Sequence, residues 1–239
     1  MLDRLHLEGV WPGPVTIRKG WAKAVARPWN DDVPDATVRL ERGSSEFLRA
    51  VAEHLAPLGS GNVYSPALYP SAARVWARAG FHRFGRLIVM ERALGAGSPT
   101  PEHPIEWSDH PDWTDVVTVD RLAFEGFWRM SEAGLVEAMG TTPRAVVLQA
   151  RFDRHLAGYA LVGSQMSLSF LQRVAVAPAF AGGGVGTSLV RAAREWARIG
   201  GARVMVLNLR PENRSARRLY EKEGFQASAT SLQLLRFEA

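Results

Sequence analysis

The chain has 239 residues, 46% of them hydrophobic, enough to bury one large core or two smaller ones. It has no cysteine, which excludes disulfides and a cysteine nucleophile, and its net charge of +5 comes from arginines scattered among acids, without the basic run and interleaved aromatics of a nucleic-acid binder. No stretch approaches the roughly 18 apolar residues of a membrane helix, the start MLDRLHLEGVW lacks a signal-peptide core, and the six histidines stand apart rather than at metal-site spacing; the expectation is a cytoplasmic protein with no metal, no nucleic acid and no membrane partner.

Before Thr37 no element can be assigned. A strand is expected near Thr37 to Glu41, a helix over Phe47 to Gly59 (FLRAVAEHLAPLG), a strand near Asn62 to Ala67, a helix through Ser71 to Phe81 (SAARVWARAGF) and an apolar strand from Leu87 to Leu94. The segment Gly95-Ala-Gly-Ser-Pro-Thr-Pro101 neither packs nor propagates a helix, so it marks a boundary between a module at 1–97 and one at 105–239. Beyond it, Trp113 to Trp128 has helical periodicity through Val116, Val119, Leu122 and Ala123, and a second helix is expected from Ser131 to Met139. Arg144 to Arg151 and Leu156 to Gly163 read as a hairpin, followed by a strand from Ser167 to Val176.

Pro178 stops that strand, and Gly182, Gly183, Gly184 and Gly186 lead into an amphipathic helix with Val185, Leu189, Ala193, Trp196 and Gly200 on one face. A helix that begins in glycines points unpaired N–H groups into one space with the helix dipole behind them, which suits phosphate. The Walker loop is excluded because Thr187 follows Gly186 with no lysine between, and the dinucleotide pattern GxGxxG because Thr187 stands where a glycine is required. Downstream come a second apolar strand, Arg203 to Leu209, and then Asn213, Ala216, Leu219, Tyr220 and Gly224-Phe225.

Strand, proline, glycine turn and the N-x-x-A-x-x-L-Y-x-x-x-G-F segment together resemble the GCN5-related N-acetyltransferases (GNAT). The resemblance implies an α/β GNAT fold, a mixed and mostly antiparallel sheet flanked by helices, with acetyl-CoA as co-substrate. It implies that main-chain groups of Val174 and Val176 hold the pantetheine arm. The pyrophosphate then lies on the N–H groups of Gly182, Gly183, Gly184, Val185, Gly186 and Thr187, with the Thr187 and Ser188 hydroxyls as further donors. Asn213 would reach the pantetheine amide or simply cap its helix. Tyr220 would donate a proton to the departing thiolate, its other reading being an aromatic core residue. Ala181 and Gly183 replace residues that are often cationic in the family, so modest affinity for acetyl-CoA is expected. Asn208 stands where some relatives have a glutamate base; Glu212, Glu125 and Asp120 are carboxylates without an assigned role. Phe124, Phe127, Trp128 and Met130 either line an acceptor cleft or belong to the core, and a hairpin is expected after Phe225.

The first half repeats the second. Ser71 to Phe81 matches Ser215 to Phe225 position by position, and Leu87 to Leu94 takes the place of Leu232 to Glu238, with Arg92 matching Arg236. At the glycine turn the first copy has Arg42, Gly43, Ser44 and Ser45, and Trp76 stands where Tyr220 stands. It therefore reads as a degenerate acetyltransferase module that either walls the acceptor cleft or completes its neighbour's sheet. The expected activity is direct acetyl transfer to a primary amine of a small molecule, by a monomer that is a pseudo-dimer through its internal repeat or by a homodimer. Protein lysine or N-terminal acetylation, and a noncatalytic acetyl-CoA sensor, are the alternatives.

Overall fold

Twelve strands and six α-helices occur among the described residues, 4–95 and 97–239, of the computed structural model. In chain order they are β1 (His6–Glu8), β2 (Val15–Lys19), β3 (Ala22–Pro28), β4 (Ala36–Arg42), α1 (Ser45–Leu55), β5 (Asn62–Tyr64), α2 (Pro70–Arg78), β6 (His82–Ala93), β7 (Glu106–Ser108), α3 (Trp113–Ala123), α4 (Glu132–Met139), β8 (Arg144–Phe152), β9 (His155–Gln165), β10 (Leu168–Val176), α5 (Val185–Ile199), β11 (Val204–Leu209), α6 (Arg214–Lys222) and β12 (Gln226–Glu238). They form two units, Met1–Leu87 with Thr230–Ala239, and Ile88–Ala229. No helix is long and apolar enough to cross a membrane among these residues.

In the first unit the strand order is β1-β2-β3-β4-β5-β12, antiparallel except for the parallel pair β4–β5. The stretch that sequence left unassigned is thus an antiparallel meander; Val15, Ile17, Ala22, Ala24 and Ala26 alternate onto its buried face. Side chains of α1 and α2 pack on that core, where Trp76 meets Phe81 edge-on at 4.8 Å. Ser44 caps α1, accepting the Phe47 N–H at 3.3 Å.

The second unit has the order β6-β11-β10-β9-β8-β7, again antiparallel but for one parallel pair, β10–β11. Its central strand β9 is buried from Leu156 through Ser164 without alternation, as expected of a strand covered on both faces. One face carries α5, whose Leu189, Ala193 and Trp196 pack with Met205 and Leu207; the other carries α3 and α4, through Val116, Val119 and Leu135 around Tyr159. Burying a side chain such as Leu189 contributes about 1.5–3 kcal/mol.

Two features depart from expectation. Gln226–Glu238 is a single strand of 13 residues rather than a hairpin, and the chain changes unit within β6 and within β12, not at the glycine- and proline-rich segment that was to separate 1–97 from 105–239. The end of β6 pairs with β11 (Ala93 opposite Val204, Ile88 opposite Leu209), whereas the end of β12 pairs with β5 (Arg236 opposite Tyr64). The end of β6 is thus a strand of the second unit's sheet and the end of β12 a strand of the first's.

Candidate active site

The parallel pair at the centre of the second unit comes apart halfway along. Leu168–Leu171 bond to Val204–Leu207, after which β10 keeps only its antiparallel partner β9. The parting coincides with a bulge: Leu171 faces Val162 and Arg173 faces Leu161, so Gln172 is the extra residue, and extra residues bend a strand and re-aim the side chains that follow. Ala177 donates to Ala157 O at 2.8 Å. By the alternation of an antiparallel ladder Ala175 also faces β9, leaving the main-chain groups of Val174 and Val176 turned toward the side that β11 has left. Both are half-buried, their side chains packed on the core.

Past this edge Pro178–Phe180 make one 3-10 turn and the glycines follow. Gly182 and Gly184 have φ of +81° and +82°, in the left-handed region where a β-carbon is disfavoured, and Gly184 is the N-cap of α5. The first bond of the helix runs from Ser188 N–H to Gly184 O at 2.9 Å, so the N–H groups of Gly182, Gly183, Gly184, Val185, Gly186 and Thr187 have no acceptor among the described residues. Six adjacent donors at the positive end of a 15-residue helix make an anion cradle. A β-carbon on Gly186 would lie 3.1 Å from Leu219, so this glycine also lets α6 approach α5.

Ser188 lies one residue past that cradle. It is fully buried, and its hydroxyl oxygen accepts the N–H groups of Glu102 and His103 at 3.1 and 3.2 Å. These tie the segment ahead of β7 to the glycine turn, where the His103 ring meets Gly183 O at 2.6 Å. A β-carbon on Gly184 would lie 3.2 Å from Glu102 Oε2, so a carboxylate stands beside the cradle, held by Arg191 at 3.2 Å. No spacing in the sequence marks Glu102 or His103 as neighbours of a loop about 80 positions away.

On the other side of the parting lies a polar and aromatic cluster. Asp120, with no exposed surface, accepts Arg173 through both oxygens (2.8 and 2.9 Å), the Tyr159 hydroxyl (2.6 Å) and Met130 N–H (2.8 Å). Such a carboxylate is a fixture for Arg173 and is not available as a base; burial, with Asp120 beside it, pushes the Tyr159 phenol well above its ordinary pKa. The Arg173 guanidinium lies 3.5 Å over the Phe124 ring and donates to Trp128 O at 2.7 Å, while Arg210, the residue after β11, sits 4.8 Å over the Trp128 ring. Trp128 thus reaches both strands where they part. Arg210 has no acidic partner among the described residues.

Tyr220, on α6, is 8% exposed and packs edge-on against Phe225 at 5.8 Å. Its hydroxyl has no hydrogen-bond partner among the described residues. Burial pushes its pKa up to about 12, and the positive charge of Arg173 works against that shift. Asn213 caps α6, its side-chain oxygen accepting Ala216 N–H at 3.0 Å, which leaves only its NH2 group for a ligand. Asn208, Glu212 and Glu125 are exposed.

Two parallel strands that part beside an N–H cradle have a shape that suits an extended ligand with an anionic end. A model of the acetyltransferase (GNAT) family matches residues 103–225, more than half of the chain, and the chain belongs to that family, whose members bind acetyl-CoA. A tandem GNAT protein from the clavulanic acid biosynthesis pathway superposes with a TM-score of 0.60 at 19% identity, over 100% of this chain and 84% of its own. A GCN5-related N-acetyltransferase from Sphaerobacter thermophilus gives 0.55 at 17% identity (97% and 82%), and one from Kribbella flavida 0.54 at 15% (97% and 89%). No curated protein matches the chain in sequence. The GNAT fold expected from the motifs is therefore the fold of this protein.

Proposed function

We propose that the chain transfers the acetyl group of acetyl-CoA directly to the primary amine of a small molecule that also carries an anionic group. The observation that carries the first half is the row of six free N–H groups beside a strand edge with unpaired main-chain groups. Pyrophosphate fits the former, and a pantetheine arm fits the latter as an added strand would, through Val174 and Val176. Cβ-free Gly182 and Gly184 keep the cradle open.

Acetyl-CoA supplies a thioester: the amine nitrogen bonds to the carbonyl carbon, the C–S bond breaks, and the amine loses a proton as the thiolate leaves. Tyr220 stays protonated at every pH of interest, and we assign it the hydrogen bond to the sulfur. No carboxylate is free to act as base in the cluster, since Asp120 is fully bonded. Arg173 and Arg210 serve instead: nearby positive charge lowers an ammonium pKa and raises the fraction of neutral, nucleophilic amine, whose proton then goes to water. Asp120 balances Arg173, but no acid among the described residues balances Arg210. A stacked, half-buried guanidinium without a counter-ion suits a carboxylate or similar group on the acceptor.

We further propose that the N-terminal copy is degenerate and binds no acetyl-CoA. Its helix α1 starts closed, because Ser44 satisfies Phe47 N–H and a β-carbon on Gly43 would lie 2.6 Å from the Phe47 ring. A second reading, a noncatalytic acetyl-CoA sensor, is favoured by the burial of Tyr220.

The test is calorimetric titration of acetyl-CoA into the wild-type protein and Gly184→Asp, followed by CoA-thiol release against amines with and without a carboxylate. Binding lost in Gly184→Asp, with thiol released for carboxylated amines, is the expected result. Binding with no release for any amine supports the sensor, and absence of binding overturns both readings.

A further inference from the structure

The glycine turn has little within itself to fix its shape. Gly184 has φ +82° and ψ −4°, the angles of the third residue of a type II turn, and Gly183 before it has a negative φ. Rotating the one peptide unit between them turns type II into type I, where the third residue has φ of about −90°. Glycine takes either sign of φ, so the rotation is cheap here. It would also reverse the local dipole: a carbonyl oxygen would enter the cradle, and the Gly184 N–H would leave it.

A side chain from outside the turn holds this peptide. His103 Nε2 lies 2.6 Å from Gly183 O. A carbonyl only accepts, so Nε2 carries the hydrogen and donates it. The Gly183–Gly184 peptide is trans, and in a trans peptide C=O and N–H point in opposite directions. With its oxygen tied to His103, the peptide keeps the Gly184 N–H on the far side.

His103 is itself braced twice. Its main-chain N–H and that of Glu102 donate to Ser188 Oγ at 3.2 and 3.1 Å, and Ser188 N–H donates to Gly184 O at 2.9 Å, which fastens the segment to the first turn of α5. The His103 ring meets Phe152 edge-on at 5.2 Å, and Phe152 stacks on Phe180, also at 5.2 Å, at the end of the 3-10 turn that precedes the glycines. The ring is therefore anchored to the chain both before and after the turn it holds. Glycines lose more freedom on ordering than other residues, and a clamp of this kind removes that cost before a ligand arrives.

From the Nε2–carbonyl contact and its two anchors we infer that His103 is a positioning residue of the acetyl-CoA site, which keeps the Gly184 N–H facing the pyrophosphate. The inference rests on the reading of the glycine turn as the pyrophosphate cradle. His103 acts through the turn and not by touching the ligand. A clamp that raises the competent fraction of the turn lowers the apparent Kd by that fraction, and it does so through association.

The experiment is stopped-flow measurement of acetyl-CoA association and dissociation, with Kd by calorimetry, on the wild-type protein, Gly184→Asp, His103→Gln and His103→Leu. The glutamine amide can donate from the place of Nε2, whereas leucine fills the space without a donor. The expected Kd is roughly threefold to tenfold higher in His103→Leu, carried by slower association with dissociation within about twofold of wild type, and within about twofold of wild type in His103→Gln. Should His103→Leu fail to fold, His103→Asn, whose amide is too short to reach the carbonyl, takes its place. Wild-type affinity in the variant without a donor overturns the inference. So does an equal loss in His103→Gln, which marks a packing role, or a loss carried by faster dissociation, which marks direct contact with the ligand. Absence of binding by wild type, or binding that Gly184→Asp leaves intact, overturns the reading of the cradle and the inference with it.

Discussion

Tyr220→Phe separates a hydrogen-bond donor from a packing residue, because it keeps the ring that touches Phe225 and removes only a hydroxyl with no partner among the described residues. With its pKa at about 12, Tyr220 is protonated throughout the range in which the protein is assayed. Full transfer of its proton to a thiolate of reference pKa near 8.5 is uphill by about 3.5 units, or about 5 kcal/mol. Tyr220 therefore acts by donating a hydrogen bond to charge developing on sulfur rather than by giving up its proton. A hydrogen bond to a charged group contributes about 1.5–3 kcal/mol, which corresponds to a loss of roughly 10- to 150-fold in kcat. The assay is thiol release from acetyl-CoA under saturating amine, as a function of pH, for wild type and Tyr220→Phe. The expected result is that loss in kcat with little change in the acetyl-CoA KM, and no alkaline decline attributable to Tyr220 below pH 10. An unchanged kcat removes Tyr220 from the chemistry; an alkaline limb near pH 8 that disappears in the Phe variant refutes the reasoning from burial.

The same hydroxyl affects stability. A folded pKa of about 12 against an unfolded value near 10 means the contribution is present below pH 10 and is lost as pH rises through about 12, so Tyr220→Phe should flatten the alkaline fall in urea midpoint over that window. Glu102→Gln should tighten acetyl-CoA binding by about two- to fivefold at low salt and less at high salt, because it removes a largely exposed carboxylate from beside the cradle and frees Arg191; calorimetry at two ionic strengths checks this. Gly184→Ala forces a β-carbon to φ +82° and should cost about 1–2 kcal/mol of stability in chemical denaturation, along with acetyl-CoA affinity. Arg210→Gln should raise KM for carboxylated amines at least tenfold while leaving acetyl-CoA affinity and turnover of uncharged amines unchanged, which steady-state kinetics on matched amines would show.

The parts of the site that sequence disclosed are those built from neighbours in the chain. The glycine turn, the Asn213 cap and the periodic faces of α5 and α6 all depend on contacts within about four residues, and motif spacing records them. The Asp120–Arg173 pair spans 53 positions, and Arg173 follows directly on the bulge at Gln172, which no local pattern announces. Ser188 read as a further donor to the pyrophosphate, and it is buried where a segment 85 positions away covers it. The strand β3 escaped notice because its inward positions, Ala22, Ala24 and Ala26, are alanine, a weak strand former, and the first half of β12 because its apolar residues before Leu232 are alanines too. The exchange of β6 and β12 was hidden for a further reason: the two strands have matching patterns, Arg92 with Arg236 among them, so the pattern alone does not say which sheet each joins.

That exchange constrains how the protein is made. As the chain emerges from the ribosome, the first unit lacks Thr230–Ala239, which follow the whole of the second unit in the chain, and until they arrive β5 offers an unpaired edge. Such an edge invites the wrong strand, most readily the look-alike end of β6, which is already present. Cutting the gene at the linker would yield two fragments each deprived of a strand the other holds, better suited to complementation when co-expressed than to separate life as domains.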